Sequence, residues 1–186
     1  LEAVYVDKHF DLVVECKNGN KKAHYELYKL YSKAMLNTAF RIVDNLDEAQ
    51  DVLQEAFLDA FSRIGDFRQE TTFGLWLKQI VVHRAINLLR KRKMDLVGIE
   101  DEQIEDLADN DFYDDEDLQY KVAQIKEAIR VLPEGYRVVL SLYLLEGYDH
   151  EEIGQVLKIN ENTSRTQFLR AKRKLIEILK QRGITS

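Results

Sequence analysis

Four side chains, Gln79, His83, Asn87 and Arg90, recur at steps of four, four and three residues, a spacing that lines them up along one face of an α-helix. Their types run from uncharged polar to cationic, and Arg90 opens the basic run Arg90, Lys91, Arg92, Lys93. Amide and imidazole groups in such a row can hydrogen-bond the edges of nucleobases, and clustered cations suit phosphates. Just upstream, GDFRQETTF sets Phe67 and Phe73 among polar residues, and Trp76 falls beside the polar stripe, where aromatic faces can stack unpaired bases. The bland alternatives stay open: a basic helix end also complements the dipole of any helix, and a lone tryptophan more often packs than binds.

A second candidate lies near the C-terminus. Arg165, Thr166, Leu169, Arg170 and Arg173 share one side of a helical pattern, with Lys172 and Lys174 flanking. The pattern over 150–157, the link KINE and the pattern over 162–181 have the form of a helix-turn-helix, and a basic face on the second helix of such a pair suits entry into a DNA major groove. A third candidate, Asp51, Gln54, Glu55, Leu58 and Ser62, lies opposite an apolar stripe. It is either a solvated face with one tolerated leucine or a docking face for a partner helix.

Enzymatic chemistry has no comparable support. HEEIG departs from the HExxH zinc pattern because position 154 is glycine, and no nucleophile–base spacing or phosphate-cradling glycine loop is present. The four histidines are scattered, and the single Cys16, which excludes an internal disulfide, reads as a buried or idle thiol. Neither a metal nor a cofactor is expected.

The elements that must position these residues read as helices throughout. One proline and eight glycines in 186 residues leave little turn chemistry, and strict apolar alternation is missing. Helices are predicted over 8–17, 21–44, 47–64 and 71–93, then over 118–131, 134–145, 150–157 and 162–181, with Pro133 opening and Gly147 closing the second of the later set. Expected core stripes are Leu53, Ala56, Phe57, Ala60, Phe61 and Ile64; then Phe73, Leu77, Ile80, Val81, Ala85 and Leu88; and in the last helix Phe168, Ala171, Leu175, Ile178 and Leu179.

The net charge of −6 conceals three parts. Residues 1–94 hold 15 bases against 13 acids, residues 95–120 hold 12 acids and no base, and residues 121–186 hold 12 bases against 8 acids. The sequence therefore predicts an all-α protein of two small, mildly basic helical domains, 1–94 and 121–186, joined by a flexible acidic linker over 95–120. No apolar run is long enough to cross a bilayer and no charged-then-apolar leader is visible, so a soluble cytoplasmic protein without membrane insertion is expected. The chain opens on Leu1, not methionine, which leaves its true N-terminus open.

Three segments, DEAQDVLQEAFLDAF, FRQETTFGLWLKQIVVHRAINLLRKRK and LPEGYRVVLSLYLLEGYDHEEIGQVLKINENTSRTQFLRAKRKL, resemble in order and spacing the extracytoplasmic-function group of the bacterial sigma-70 family. The resemblance implies a non-enzymatic promoter-specificity subunit that joins core RNA polymerase, recognises minus-10 and minus-35 DNA and helps melt it. It implies that Asp51, Gln54, Glu55 and Leu58 dock on the beta-prime clamp helices, and that the C-terminal domain meets the beta flap. It further implies that Phe67, Gln79 and His83 line a pocket for an extruded minus-10 base, near Trp76, Asn87, Arg90, Lys91, Arg92 and Lys93. Arg165, Thr166, Leu169 and Arg170 would face minus-35 bases, with Lys172 and Arg173 toward phosphates. The family pattern also implies a linker threading the polymerase cleft, an anti-sigma factor, membrane-bound in some systems, and a free monomer. Relatives commonly carry arginine where this chain has Gln79, asparagine in place of His83, glycine in place of Lys158 and valine in place of Ser164.

Overall fold

The computed structural model describes residues 8–92 and 115–184. The chain divides into two compact units, Leu1–Arg92 and Lys93–Ser186, and most of the acidic segment, together with Lys93, lies outside the described residues. Among those residues every regular element is helical and none of the helices is long and apolar enough to cross a membrane.

The first unit holds α1 (Phe10–Lys17), α2 (Lys21–Val43), α3 (Leu46–Ser62) and α4 (Phe73–Lys91), with a 3-10 turn at Ile64–Asp66 between the last two. Side-chain caps set three of the starts. Asn20 Oδ1 accepts from the N–H of Lys22 at 2.9 Å, Asn45 Oδ1 from Glu48 at 3.1 Å, and Thr72 Oγ1 from Leu75 at 3.3 Å, each satisfying a donor that the first helical turn leaves without an intrahelical partner. α2 stops at Asp44, whose φ of 54° is left-handed, and α3 starts two residues later.

Helices α2, α3 and α4 pack on one another, and α1 lies against α2 and the 3-10 turn. Because α4 faces two helices at once, its apolar arc is wider than one stripe. Phe73, Leu77, Val81 and Ala85 are buried as the sequence predicts, and Val82, Ile86 and Leu89 join them, whereas Ile80 and Leu88 sit half-buried at the margins. On α3 the core likewise takes in Ala49 and Val52, and Phe61 is only partly covered, edge-on to His24 with ring centroids 4.7 Å apart. Cys16 is buried, and desolvation, with a smaller contribution from Glu15, raises its pKa to about 11. At neutral pH that thiol is inert.

The second unit holds α5 (Asp115–Arg130), α6 (Glu134–Leu144), α7 (His150–Leu157) and α8 (Glu161–Gln181). α5 starts at Asp115, inside the stretch read as linker. Ala128, Ile129, Leu132, Tyr136, Leu140, Ala171, Leu175 and Leu179 form one cluster of the unit's core, with Phe168 and Ile178 partly covered against it, and Val138, Val139, Leu142, Ile153, Val156 and Leu157 are buried as well.

Helices α7 and α8 are locked by local chemistry. Asp149 and Glu152 make a reciprocal capping box at the start of α7, both bonds being 2.8 Å, and Asn160 Oδ1 accepts from Thr163 N–H at 2.7 Å to start α8. Between them the turn folds back so closely that a Cβ on Gly154 would lie 2.8 Å from the backbone oxygen of Ile159. Lys158 takes the left-handed conformation, φ 58°, that ends α7, and it does so with a side chain where glycine is the strain-free choice. Ser164, fully buried, lies with its Oγ 3.0 Å from Nδ1 of His150. The imidazole stacks on Tyr143 with centroids 4.6 Å apart, so a hydroxyl in the core has a partner and helix seating is retained.

Two outcomes are expected, both read in the full chain. Lys158→Gly should slow hydrogen exchange in α7 and α8 by stabilising the unit by about 0.5–1 kcal/mol, whereas Gly154→Ala should speed it by costing about 1–3 kcal/mol; unchanged exchange in both would refute the strained-turn account. Separately, burial and then the Arg165 guanidinium lower the His150 pKa from its ordinary 6.5, against smaller opposing effects of Glu161 and Asp149. A folded-state pKa below the unfolded one means that, as pH falls through 6.5, the unfolded chain takes up a proton the fold resists. The second unit should therefore lose stability over that window and level off below the folded value. Denaturant titrations should show His150→Phe flattening this component.

Candidate nucleic-acid interface

Between α3 and α4 the first unit carries an open cleft of about 420 Å³ lined by Asp59, Arg63, Trp76, Gln79, Ile80, His83, Arg84 and Asn87. Gln79, His83 and Asn87 are exposed along one edge of α4, at the spacing that the sequence predicts. They are polar there because the opposite arc of the same helix is committed to the core. Nδ1 of His83 is 2.7 Å from the backbone oxygen of Gln79, and Arg90 Nη1 is 3.2 Å from Asn87 Oδ1.

Arg84, Asp59 and Arg63 are cleft residues that the sequence reading did not single out, and Arg84 is the one that ties the two walls together. Its Nε donates to Asp59 Oδ2 at 2.9 Å, its Nη2 reaches the same oxygen, and its Nη1 donates to Glu55 Oε2 at 2.8 Å. The hydrogen bond to Asp59 raises the guanidinium pKa above its already high ordinary value despite some desolvation, so the group is a fixed cation clamping α4 to α3. One signal was available: Glu55 and Asp59 stand four residues apart on α3, and the mostly apolar run VVHRAI carries a single arginine to answer them.

Phe67 requires correction as a cleft residue. It is 2% exposed, packs against Phe73 and Trp76 with centroids 6.0 and 5.3 Å apart, and its backbone oxygen accepts from Lys17 Nζ at 2.7 Å. The 3-10 turn directs the chain inward at this point, so Phe67 supports the wall and presents no face to a base. Trp76 is half-buried: it packs on Phe67 and Phe73 and also lines the cleft.

The basic helix end is also less uniform than its sequence. Lys91 is exposed, but Arg92 is ion-paired with Glu48 and donates to Val43 O at 3.3 Å, tying the end of α4 to the α2–α3 junction. This structural engagement competes with the phosphate role read for Arg92 from the sequence. Lys93 lies outside the described residues.

On the outward face of α3, Asp51, Gln54, Glu55 and Leu58 are all exposed, Leu58 at 71%. Glu55 stands at the edge shared with α4 through Arg84. In the second unit, Arg165, Leu169 and Lys172 are exposed on α8, whereas Thr166, Arg170 and Arg173 are half-buried. Arg165 pairs with Glu161 on its own helix, and Thr166 Oγ1 donates to Asn162 O at 2.9 Å. The six residues thus form a continuous face in which a polar, partly basic surface surrounds one exposed leucine. Among the described residues no group of three or more His, Cys, Asp or Glu gathers as a metal site.

Residues 27–94 match the family model described as Sigma-70 region 2, and residues 123–175 match Sigma-70, region 4. The chain is 32% identical to the RNA polymerase sigma-H factor of Pseudomonas aeruginosa, over 87% of this chain and 88% of that one. It is 33% identical to the RNA polymerase sigma factor SigV of Bacillus subtilis, covering 86% of each. To the ECF RNA polymerase sigma-E factor of Haemophilus influenzae it is 32% identical, over 89% and 92%. In fold it is similar to CnrH, solved in complex with the cytosolic domain of CnrY, at TM-score 0.54 and 21% identity over 91% and 96% of the two chains. The sigma factor RpoE of Bartonella quintana, solved with the anti-sigma factor NepR, gives TM-score 0.54 at 22% identity, over 84% and 96%. With both regions present in order and relatives above 30% identity along most of its length, the chain belongs to the extracytoplasmic-function group of the sigma-70 family of RNA polymerase sigma factors.

Proposed function

We propose that this sigma factor, which directs promoter-specific transcription initiation, divides recognition between the α4 cleft for one unpaired minus-10 base and the α8 face for the minus-35 duplex. The observation that carries this reading is the cleft itself. It is large enough for a nucleobase, open to solvent, walled on one side by Trp76 and Ile80, and edged by Gln79, His83 and Asn87. Extruding a base costs a few kcal/mol of lost stacking, which an aromatic wall and hydrogen bonds along the polar edge offset. Arg90, Lys91 and Lys93 then serve neighbouring phosphates, while Arg92 steadies the helix end.

On α8, Arg165, Thr166, Leu169 and Arg170 face bases, with Lys172 and Arg173 toward phosphates. Arg165 must exchange Glu161 for a base edge, so its intrahelical partner is a placeholder that keeps it extended. The exposed Leu58 with Asp51, Gln54 and Glu55 fits an apolar contact ringed by carboxylates on the beta-prime clamp helices, and the second unit meets the beta flap. The chain acts without catalytic chemistry of its own, works in the cytoplasm and is monomeric when free. The complex of RpoE with the anti-sigma factor NepR supports regulation by an anti-sigma factor, membrane-bound or soluble. The acidic segment joins the two readers across the polymerase.

Leu58→Ala should weaken core polymerase binding by about 1–2 kcal/mol, as truncation of an interface anchor does, with unchanged thermal stability because the side chain is exposed. Undiminished affinity in competition for core would move the docking face elsewhere. Arg170→Ala should lower discrimination between matched and mismatched minus-35 sites by about 1–3 kcal/mol, whereas Lys172→Ala should weaken all sites alike and reduce the salt slope by about one. Equal losses across unrelated promoters for Arg170→Ala would assign it to phosphates.

A further inference from the structure

We infer that His150 and Ser164 are positioning residues for minus-35 recognition: their contact sets the roll of the first two turns of α8, and so decides where Arg165, Thr166 and Leu169 stand against the DNA. The inference rests on the reading of α8 as the minus-35 helix.

The recognition side of α8 cannot move independently of its inner side. Ser164 and Phe168 stand four residues apart and share one side of the helix. Arg165 and Leu169 each follow one of them by a single residue, about 100° further round, and both are exposed. A roll that shifts the Ser164 side therefore carries the base-facing side through the same angle.

Two attachments hold that roll. The first is the turn, where Gly154 lets the backbone oxygen of Ile159 approach α7; it fixes where α8 starts but not how α8 is rotated about its own axis. The second is His150, the first residue of α7. Its ring stacks on Tyr143 of α6 at 18° with centroids 4.6 Å apart, and it meets Phe168 of α8 edge-on at 5.6 Å. Tyr143 and Phe168 close the cluster with centroids 4.5 Å apart, so the imidazole gathers three helices at one point. Ring contacts of this kind tolerate sliding, whereas a hydrogen bond is directional. Nδ1 of His150 lies 3.0 Å from Oγ of Ser164, a residue fully buried, where a hydroxyl stripped of its partner costs more than the bond contributes. Because a hydroxyl both donates and accepts, the contact forms with either neutral tautomer of the ring.

Base contacts are the ones that feel the roll. The planar fork of Arg165 must meet a base edge in a narrow geometry, whereas Lys172 is a point charge on a flexible stem that reaches a phosphate from a range of angles. A loosened α8 thus loses discrimination among sites before it loses general affinity for DNA.

The test uses holoenzyme assembled from the full chain and bacterial core RNA polymerase, offered duplex DNA whose minus-35 stretch is randomised, with bound molecules sequenced. Ser164→Val, similar in shape but lacking the hydroxyl, should lower the enrichment of preferred minus-35 bases by roughly 3- to 10-fold and leave binding to unrelated duplex unchanged. Adding His150→Phe, which makes both partners apolar, should restore most of that enrichment. Adding Lys158→Gly instead, which stabilises the unit by easing the turn, should not restore it. Protected amides in α6 check that each variant folds. Wild-type enrichment in Ser164→Val, a deficit that His150→Phe fails to relieve, or one that Lys158→Gly relieves would overturn the positioning role and leave α8 as the minus-35 reader. Absence of base preference throughout the stretch in wild type would overturn both.

Discussion

The packing of α4 between α2 and α3 is the constraint on which the first unit depends. Phe73, Leu77, Val81, Val82, Ala85, Ile86 and Leu89 are all essentially removed from solvent. An arc this wide leaves only a narrow strip of the helix for anything else, and that strip is where Gln79, His83 and Asn87 lie. The polar line is thus positioned by the packing of α4 on α2 and α3. Its side chains are carried on a rigid helix, which fixes where their hydrogen-bonding groups stand.

Charge is handled differently in the two units. In the first, Arg84 and Arg92 are fastened to Asp59, Glu55 and Glu48, so much of the positive charge on α4 stitches helices together. These pairs are partly exposed and individually modest in energy, but they set the angle at which the cleft walls meet. In the second unit the close approach at Gly154 and the capping box at Asp149 set the α7–α8 turn, so α8 can leave Lys172 and Leu169 outward. The structural glycine is also the residue that removes HEEIG from the zinc-hydrolase pattern: the position is small because a backbone oxygen occupies the space a side chain would need.

Periodicity made most of the helices legible because each has one polar and one apolar arc, whereas the side-chain caps at Asn20, Asn45, Thr72, Asp149 and Asn160 that start five of them emerged with the structure. The exposed sets on α3 and α4 were readable for the same reason. Phe67 was misread because an aromatic residue in a polar loop carries no periodic signal. Its direction depends on a 3-10 turn and on Phe73 and Trp76 arriving beside it. The part of α5 from Asp115 was hidden inside a block of carboxylates whose composition argued for a linker.

The sequence by itself determined the helical class, the two-part organisation, the family and the outward polar faces of α3 and α4, because these depend on local order: a period, a motif, a run of charge. Tertiary structure alone decided which polar residues share a cleft, that Arg84 belongs to it and Phe67 does not, and that Arg92 is held by Glu48. Those outcomes come from the meeting of helices distant in sequence, where one arginine finds two carboxylates 25 and 29 residues away.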